Sequence, residues 1–140
     1  MGVREFLSEE TCDLSAEQFW ALRADINWDN HIAEYDGQVF NLNWAKDEVD
    51  GAGNPMVSRE VRLTFRENPV PKALRGMLKD PDFAFLVRSS WRTHCWDEAH
   101  AMDLETILPV FSDRVSIKAR QWAEPISDRQ CKVRRRSQTA

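Results

Sequence analysis

The sequence predicts an α+β domain in which two short N-terminal helices precede an antiparallel sheet of about six to seven strands. Three observations predict it. Helical spacing of apolar residues is concentrated near residues 15–35. From Phe40 onward the apolar period drops to two. The later connections are mostly tight and rich in Gly, Pro, Asn, Asp and Ser, the pattern of an antiparallel meander. The 140 residues fit one domain with a core of its own.

The elements follow in order. VREFLSEETC, residues 3–12, reads as a short strand closed by the turn-like Asp13-Leu14-Ser15. Ser15 opens SAEQFWALRAD with Gln18 three residues on, a capping box, and Phe19, Leu22 and Ile26 share the inward face of that helix. A second short helix over Trp28–Tyr35 stops at Asp36-Gly37. Phe40, Leu42 and Trp44 then alternate with Asn41, Asn43 and Ala45, a half-buried strand. VDGAGNP, residues 49–55, is a hairpin connection.

Val57, Val61, Leu63 and Phe65 share one face of the next strand with Arg59 as its one polar member, opposite Ser58, Glu60, Arg62, Thr64 and Arg66. Asn68-Pro69-Val70-Pro71 breaks the strand, and KALRGMLKD supplies one or two helical turns with Leu74, Met77 and Leu78 on its apolar side. Residues 83–98 form a long strand-like run that ends in a tight connection near Glu98 and Ala99. In residues 100–110 Met102, Leu104, Thr106 and Leu108 oppose Ala101, Asp103, Glu105 and Ile107. In residues 114–126 Val115, Ile117, Ala119 and Gln121 share a face, and RQCKVRRR is the last strand.

Composition excludes several classes. With 42% hydrophobic residues, 30% charged and a net charge of −4, the chain is neither disordered, collagenous nor coiled coil. Arg4 and Glu5 interrupt any signal peptide, and no run approaches the ~18 apolar residues of a membrane span. Cys12, Cys95 and Cys131 are far apart, odd in number and form no metal-knuckle pattern, which speaks for a reducing compartment and a cytoplasmic location.

His31, His94 and His100 lack metal-ligand spacing, so no metal and no cofactor are expected. His94 and Cys95 are strand neighbours that point to opposite faces and do not pair as base and nucleophile. Asp103 and Glu105 share a face opposite the apolar one, which sends them to solvent. Phosphate loops and a serine-centred elbow are missing from the sequence, and no catalytic residue is singled out. Charge is uneven: residues 1–60 carry four basic and thirteen acidic side chains, residues 61–140 fifteen basic and ten acidic. Lys132, Arg134, Arg135 and Arg136 fall within the last ten residues, and residues 132–140 read as a basic tail after a domain spanning residues 1–131.

This order of elements resembles the helix-grip fold of the START-like superfamily, which includes the birch-pollen allergen type and polyketide cyclase-like proteins. The resemblance rests on SAEQFWALRADINWDNHI, on NPVPKALRGMLKD followed by the strand around Ser90-Trp91-Arg92, and on RVSIKARQWAEPISDRQCKV. It implies a curved sheet whose concave face holds a ligand beneath a long C-terminal helix. The chain departs from that pattern: after Cys131 it runs only to RRRSQTA, with no helical periodicity for such a lid. The expectation is therefore a helix-grip domain with the C-terminal lid helix absent.

Aromatic residues then mark the ligand site. Phe40, Leu42, Trp44, Leu63, Phe65, Trp91, Met102, Leu104 and Trp122 are the candidates to line the concave sheet, with Arg59 and Arg92 as anchors for an acidic head group. The expected function is binding, and transfer, of a hydrophobic small molecule or lipid. A small cyclase- or hydratase-like enzyme using the same cavity is the alternative. So is a protein-interaction module that takes a partner or a second copy on the uncovered sheet. Nucleic acid is disfavoured by the net charge of −4.

Overall fold

The computed structural model describes residues 4–77, 82–92, 95–110 and 115–139. Strand β1 (Arg4–Cys12) leads into α1 (Ala16–Arg23) and α2 (Ile26–Tyr35). The meander follows as β2 (Gln38–Val49), β3 (Pro55–Phe65), β4 (Phe85–Arg92), β5 (Met102–Ile107), β6 (Ile117–Ser127) and β7 (Gln130–Thr139). Short 3₁₀ turns occupy Lys72–Met77 and Glu98–His100. The seven strands form one antiparallel sheet in the order β1-β7-β6-β5-β4-β3-β2. Every strand from β3 to β7 lies beside its predecessor, and β1 is laid against the last strand. This is the α+β architecture the sequence pattern predicts.

Local chemistry sets the helix boundaries. The Ser15 side chain accepts from Gln18 N while the Gln18 side chain accepts from Ser15 N, completing the capping box. Asp25 caps α2 by accepting from Asn27 N at 2.9 Å. Gly37, at φ 71°, makes the left-handed turn that swings the chain from α2 into β2.

The core forms where α1 lies on the sheet. Ala16 and Trp20 pack with Trp91, Cys95, Met102, Leu104, Ala119, Ala123 and Cys131. The Trp20 indole N–H donates to the Cys95 carbonyl at 3.0 Å, and that carbonyl also accepts from Ala123 N at 2.9 Å. A buried indole is thereby satisfied, and one carbonyl fastens α1 and β6 to the same point.

Two expectations are corrected here. The strand expected over residues 83–98 ends at Arg92, because β5 begins only at Met102 and its ladder with β4 stops at Ser90–Asp103. Cys95 turns its carbonyl toward β6, where it accepts from Ala123 N. Residues 132–139, expected as a basic tail, are the bulk of β7, paired with β1 on one side and β6 on the other. Charge explains the placement. Arg134 meets Glu9 and Glu124, while Arg136 meets Glu5 and Glu98, so the acidic first strand and the basic last one neutralise each other. His94 and Leu78, noted in the sequence, lie outside the described residues.

Candidate functional site

Register decides which side chains share a face, because directly paired residues in an antiparallel ladder point the same way. The face that meets the helices (the inner face) carries Phe40, Leu42, Arg59, Val61, Leu63, Val87, Ser89 and Trp91, with Met102, Leu104 and Ala119 further along. The outer face carries Ser58, Glu60, Arg88, Ser90, Asp103, Glu105, Lys118 and Arg120.

Between α2 and the inner face lies a cavity of about 290 Å³. Trp28, Ile32, Phe40, Val61, Leu63 and Val87 give it apolar walls, while Arg23, Asp29, Arg59 and Ser89 supply its polar groups. Arg59 is its centre: the residue is only 6% exposed. Its Nη1 donates to Asp29 Oδ2 at 2.7 Å, and Arg23 stands 3.5 Å from the other Asp29 oxygen. The guanidinium is flanked by the Phe40 ring at 5.7 Å and the Trp91 ring at 5.3 Å. Its Nε is buried and has no hydrogen-bond partner among the described residues. Burial pushes the Arg23 guanidinium below the usual arginine range; Asp29 opposes that shift, and Arg59 and Arg135 add to it.

The structure divides the residues the sequence singled out. Phe40, Arg59 and Leu63 line the cavity. Trp91 stacks on Arg59 but belongs to the core, together with Met102 and Leu104, beneath Trp20 of α1. Phe65 turns to an aromatic cluster with Phe83 and Phe85, at ring separations of 6.3 and 6.2 Å. Leu42 sits on the inner side of the edge strand, opposite Val61, and is 39% exposed.

Three candidates are on the wrong face. A bulge between Leu42 and Trp44 shifts the register by one, so Trp44 pairs with Glu60 and faces outward, where the Lys46 ammonium lies over its ring. Trp122 pairs with Arg134 and also faces outward. It is buried there nonetheless, and its indole N–H donates to Glu124 at 3.1 Å. Arg92, next to Trp91, takes the opposite face and is bound by Asp50 of the β2–β3 hairpin at 2.6 Å. None of the three reaches the cavity.

The sequence reading missed the contribution of α2. Trp28, Asp29, Ile32 and Ala33 form one stripe at helical spacing, and that stripe was the available signal. The outer face holds a larger trough, about 490 Å³, between Trp44 and the crossed charges of Arg88, Asp103, Glu105, Lys118 and Arg120. Its charged side chains answer one another across the strands, as in Arg88 with Glu60 and Arg120 with Asp103. The inner cavity, with an arginine nitrogen left over, is the better candidate for a ligand.

No helix among the described residues is long and apolar enough to cross a membrane. No family model and no curated protein matches the chain. Solved structures do match. The Zhui aromatase/cyclase from Streptomyces sp. R1128 aligns over 99% of this chain and 68% of its own, with TM-score 0.55 and 12% identity. Norcoclaurine synthase from Thalictrum flavum, a point mutant in complex with a transition-state analogue, aligns over 99% of this chain and 76% of its own, with TM-score 0.54 and 13% identity. The di-domain ARO/CYC BexL from the BE-7585A biosynthetic pathway gives TM-score 0.53 at 17% identity, over 96% of this chain and 35% of its own. At such identities the likeness is one of backbone architecture. The seven-stranded sheet gripping two short helices is thus the helix-grip fold of the aromatase/cyclases and norcoclaurine synthase.

Proposed function

We propose that the chain binds a small, largely apolar molecule carrying one acidic or strongly accepting oxygen, in the cavity between α2 and the inner face of the sheet. The observation that carries this reading is the Arg59 Nε, buried between two aromatic rings with no acceptor among the described residues. Leaving a buried charged donor unanswered costs more than one ordinary hydrogen bond, so an oxygen delivered by a ligand is favoured there. The volume of about 290 Å³ limits the size. It stands at the lower edge of small-molecule sites, which run from about 300 Å³ upward, and suits one or two fused rings better than a sterol or long acyl chain.

A small enzyme of the cyclase or hydratase kind is the second reading, favoured by the presence of a carboxylate inside the cavity. That carboxylate is Asp29, and both of its oxygens face arginines. A base so engaged has to give up an ion pair before it takes a proton, and binding is therefore the reading preferred.

Titration with one- and two-ring aromatic carboxylates, followed by tryptophan fluorescence, tests the proposal, since Trp28 stands in the cavity wall. Saturable binding by the folded chain, weakened at least about tenfold in Arg59→Met, is the expected result. Absence of binding to the wild-type chain, or equal binding by a folded Arg59→Met variant, overturns it.

A further inference from the structure

Cys12 and Cys131 lie 119 positions apart in the sequence, yet they are direct partners in the β1–β7 ladder. Both point to the inner face, where Cys131 belongs to the buried core cluster and Cys12 packs against it. Cys131 is fully buried and Cys12 partly exposed; both are free thiols. Residues directly opposite in an antiparallel pair have Cα atoms about 4.5–5.5 Å apart, inside the span of about 4.4–6.8 Å that a disulfide bridges. The register alone therefore sets the two Cα atoms within disulfide reach.

Cys95 belongs to the same core cluster but is differently held. It is fully buried, its thiol donates to the Arg92 carbonyl at 3.3 Å, and burial pushes that thiol above the usual range. A thiol kept protonated and out of solvent is slow to exchange.

We propose that Cys12 and Cys131 form a thiol-modification site, a cross-strand dithiol that a low-molecular-weight disulfide converts to an intramolecular disulfide while Cys95 stays reduced. The more exposed Cys12, as thiolate, attacks the oxidant's disulfide, forming a mixed disulfide and releasing one thiolate. Cys131 then loses its proton and attacks Cys12 Sγ, releasing the second thiolate. One disulfide and two protein thiols become one protein disulfide and two small thiols, so electrons and protons balance. Burial raises the Cys131 thiol, which slows the second step.

The bond acts on a strand that has a neighbour on one side only. β1 is at the edge of the sheet, and four residues after Cys12 the chain begins α1. A link to β7 therefore pins both the edge strand and the entry to the helix that carries Arg23.

The test uses the reduced, full-length chain treated with oxidised glutathione, with thiols counted in denaturant and disulfides located by non-reducing peptide mapping. The expected result is a fall from three titratable thiols to one and a Cys12–Cys131 linked peptide. The melting temperature should rise by about 10 °C, because the closed loop is about 120 residues long. Dithiothreitol should reverse both changes. Cys95→Ala should oxidise in the same way, and Cys12→Ser should form no intramolecular bond. Retention of all three thiols, arrest as a glutathione adduct on Cys12, a bond that includes Cys95, or a bond between two chains would overturn the proposal. Mapping of the wild-type chain decides it even where the Cys12→Ser variant fails to fold.

Discussion

Arg59 of β3 and Asp29 of α2 meet at 2.7 Å across the cavity, and that contact ties the second helix to the sheet. Their side chains are 7% and 13% exposed, so the pair is nearly dry. A buried ion pair adds little over a well-packed apolar pair, but removing one partner leaves the other charge unanswered. Asp29→Ala should therefore lower stability by about 3–5 kcal/mol. The double variant Asp29→Leu with Arg59→Met should recover most of that loss while abolishing ligand binding. Chemical denaturation of the two variants checks this. If the double variant is no more stable than Asp29→Ala, the pair is holding the fold through something other than compensated charge.

Affinity should separate two aromatic residues that the sequence placed side by side. Phe40 lines the cavity, whereas the bulge turns Trp44 to the outer face. Phe40→Ala should weaken binding of an aromatic carboxylate about tenfold, or about 1.4 kcal/mol, and Trp44→Ala should leave it within about twofold. Trp44→Ala should also cost little stability, since Trp44 is 37% exposed. Parallel titrations decide the matter, and equal losses in both variants would contradict the assignment of faces.

The alternation of residues 57–65 placed β3 correctly, Arg59 included, because each of its inner-face positions pairs without a register shift. The same counting failed for Trp44. A single extra residue at Asn43 inverts the parity of the strand beyond it, and nothing in the local pattern of large and small residues marks that insertion. Trp122 and Arg92 were different. Period two already set Trp122 opposite Ala119 and Gln121, and Arg92 opposite Trp91; grouping by chemical type overrode the parity. Asp29 was invisible as the partner of Arg59 because that contact joins a helix to a strand 30 residues away, and spacing rules describe only one element at a time. RQCKVRRR already read as a strand, but its extension to Thr139 as part of the sheet, in place of a basic tail from Lys132, was hidden for a similar reason, since counter-charges for it sit on β1 at the other end of the chain.

Trp91 should behave as core rather than as ligand wall. It is 8% exposed and packs with Trp20, Met102 and Leu104 under α1. Trp91→Ala should destabilise the fold by about 3–5 kcal/mol through the cavity it leaves. Affinity per folded molecule should fall modestly, because the ring supports Arg59 from one side. Melting curves and titrations on the same preparation measure both. A loss of affinity with unchanged stability would move Trp91 into the binding site.

Acid should expose the role of Asp50. This residue accepts from Arg92 Nε at 2.6 Å, from Asn54 N at 2.8 Å and from Ala52 N at 2.9 Å, which ties the β2–β3 hairpin to the end of β4. The Arg92 guanidinium, and after it the Asn54 amide, hold its carboxyl well below the usual carboxylate range. The unfolded chain takes up a proton at this group near pH 4, while the folded chain resists protonation to lower pH. The stabilising contribution is thus complete above about pH 4 and drains away as pH falls below it. Glu60 and Asp97 are shifted in the same direction, so the wild-type curve alone does not isolate Asp50. Asp50→Asn does, because the other carboxylates cancel in the difference. The gap in urea midpoint between wild type and variant should be widest at pH 7 and narrow steadily between about pH 4 and pH 3. A gap that stays constant over that interval would show that the hairpin is held by its backbone turn and not by the Asp50–Arg92 pair.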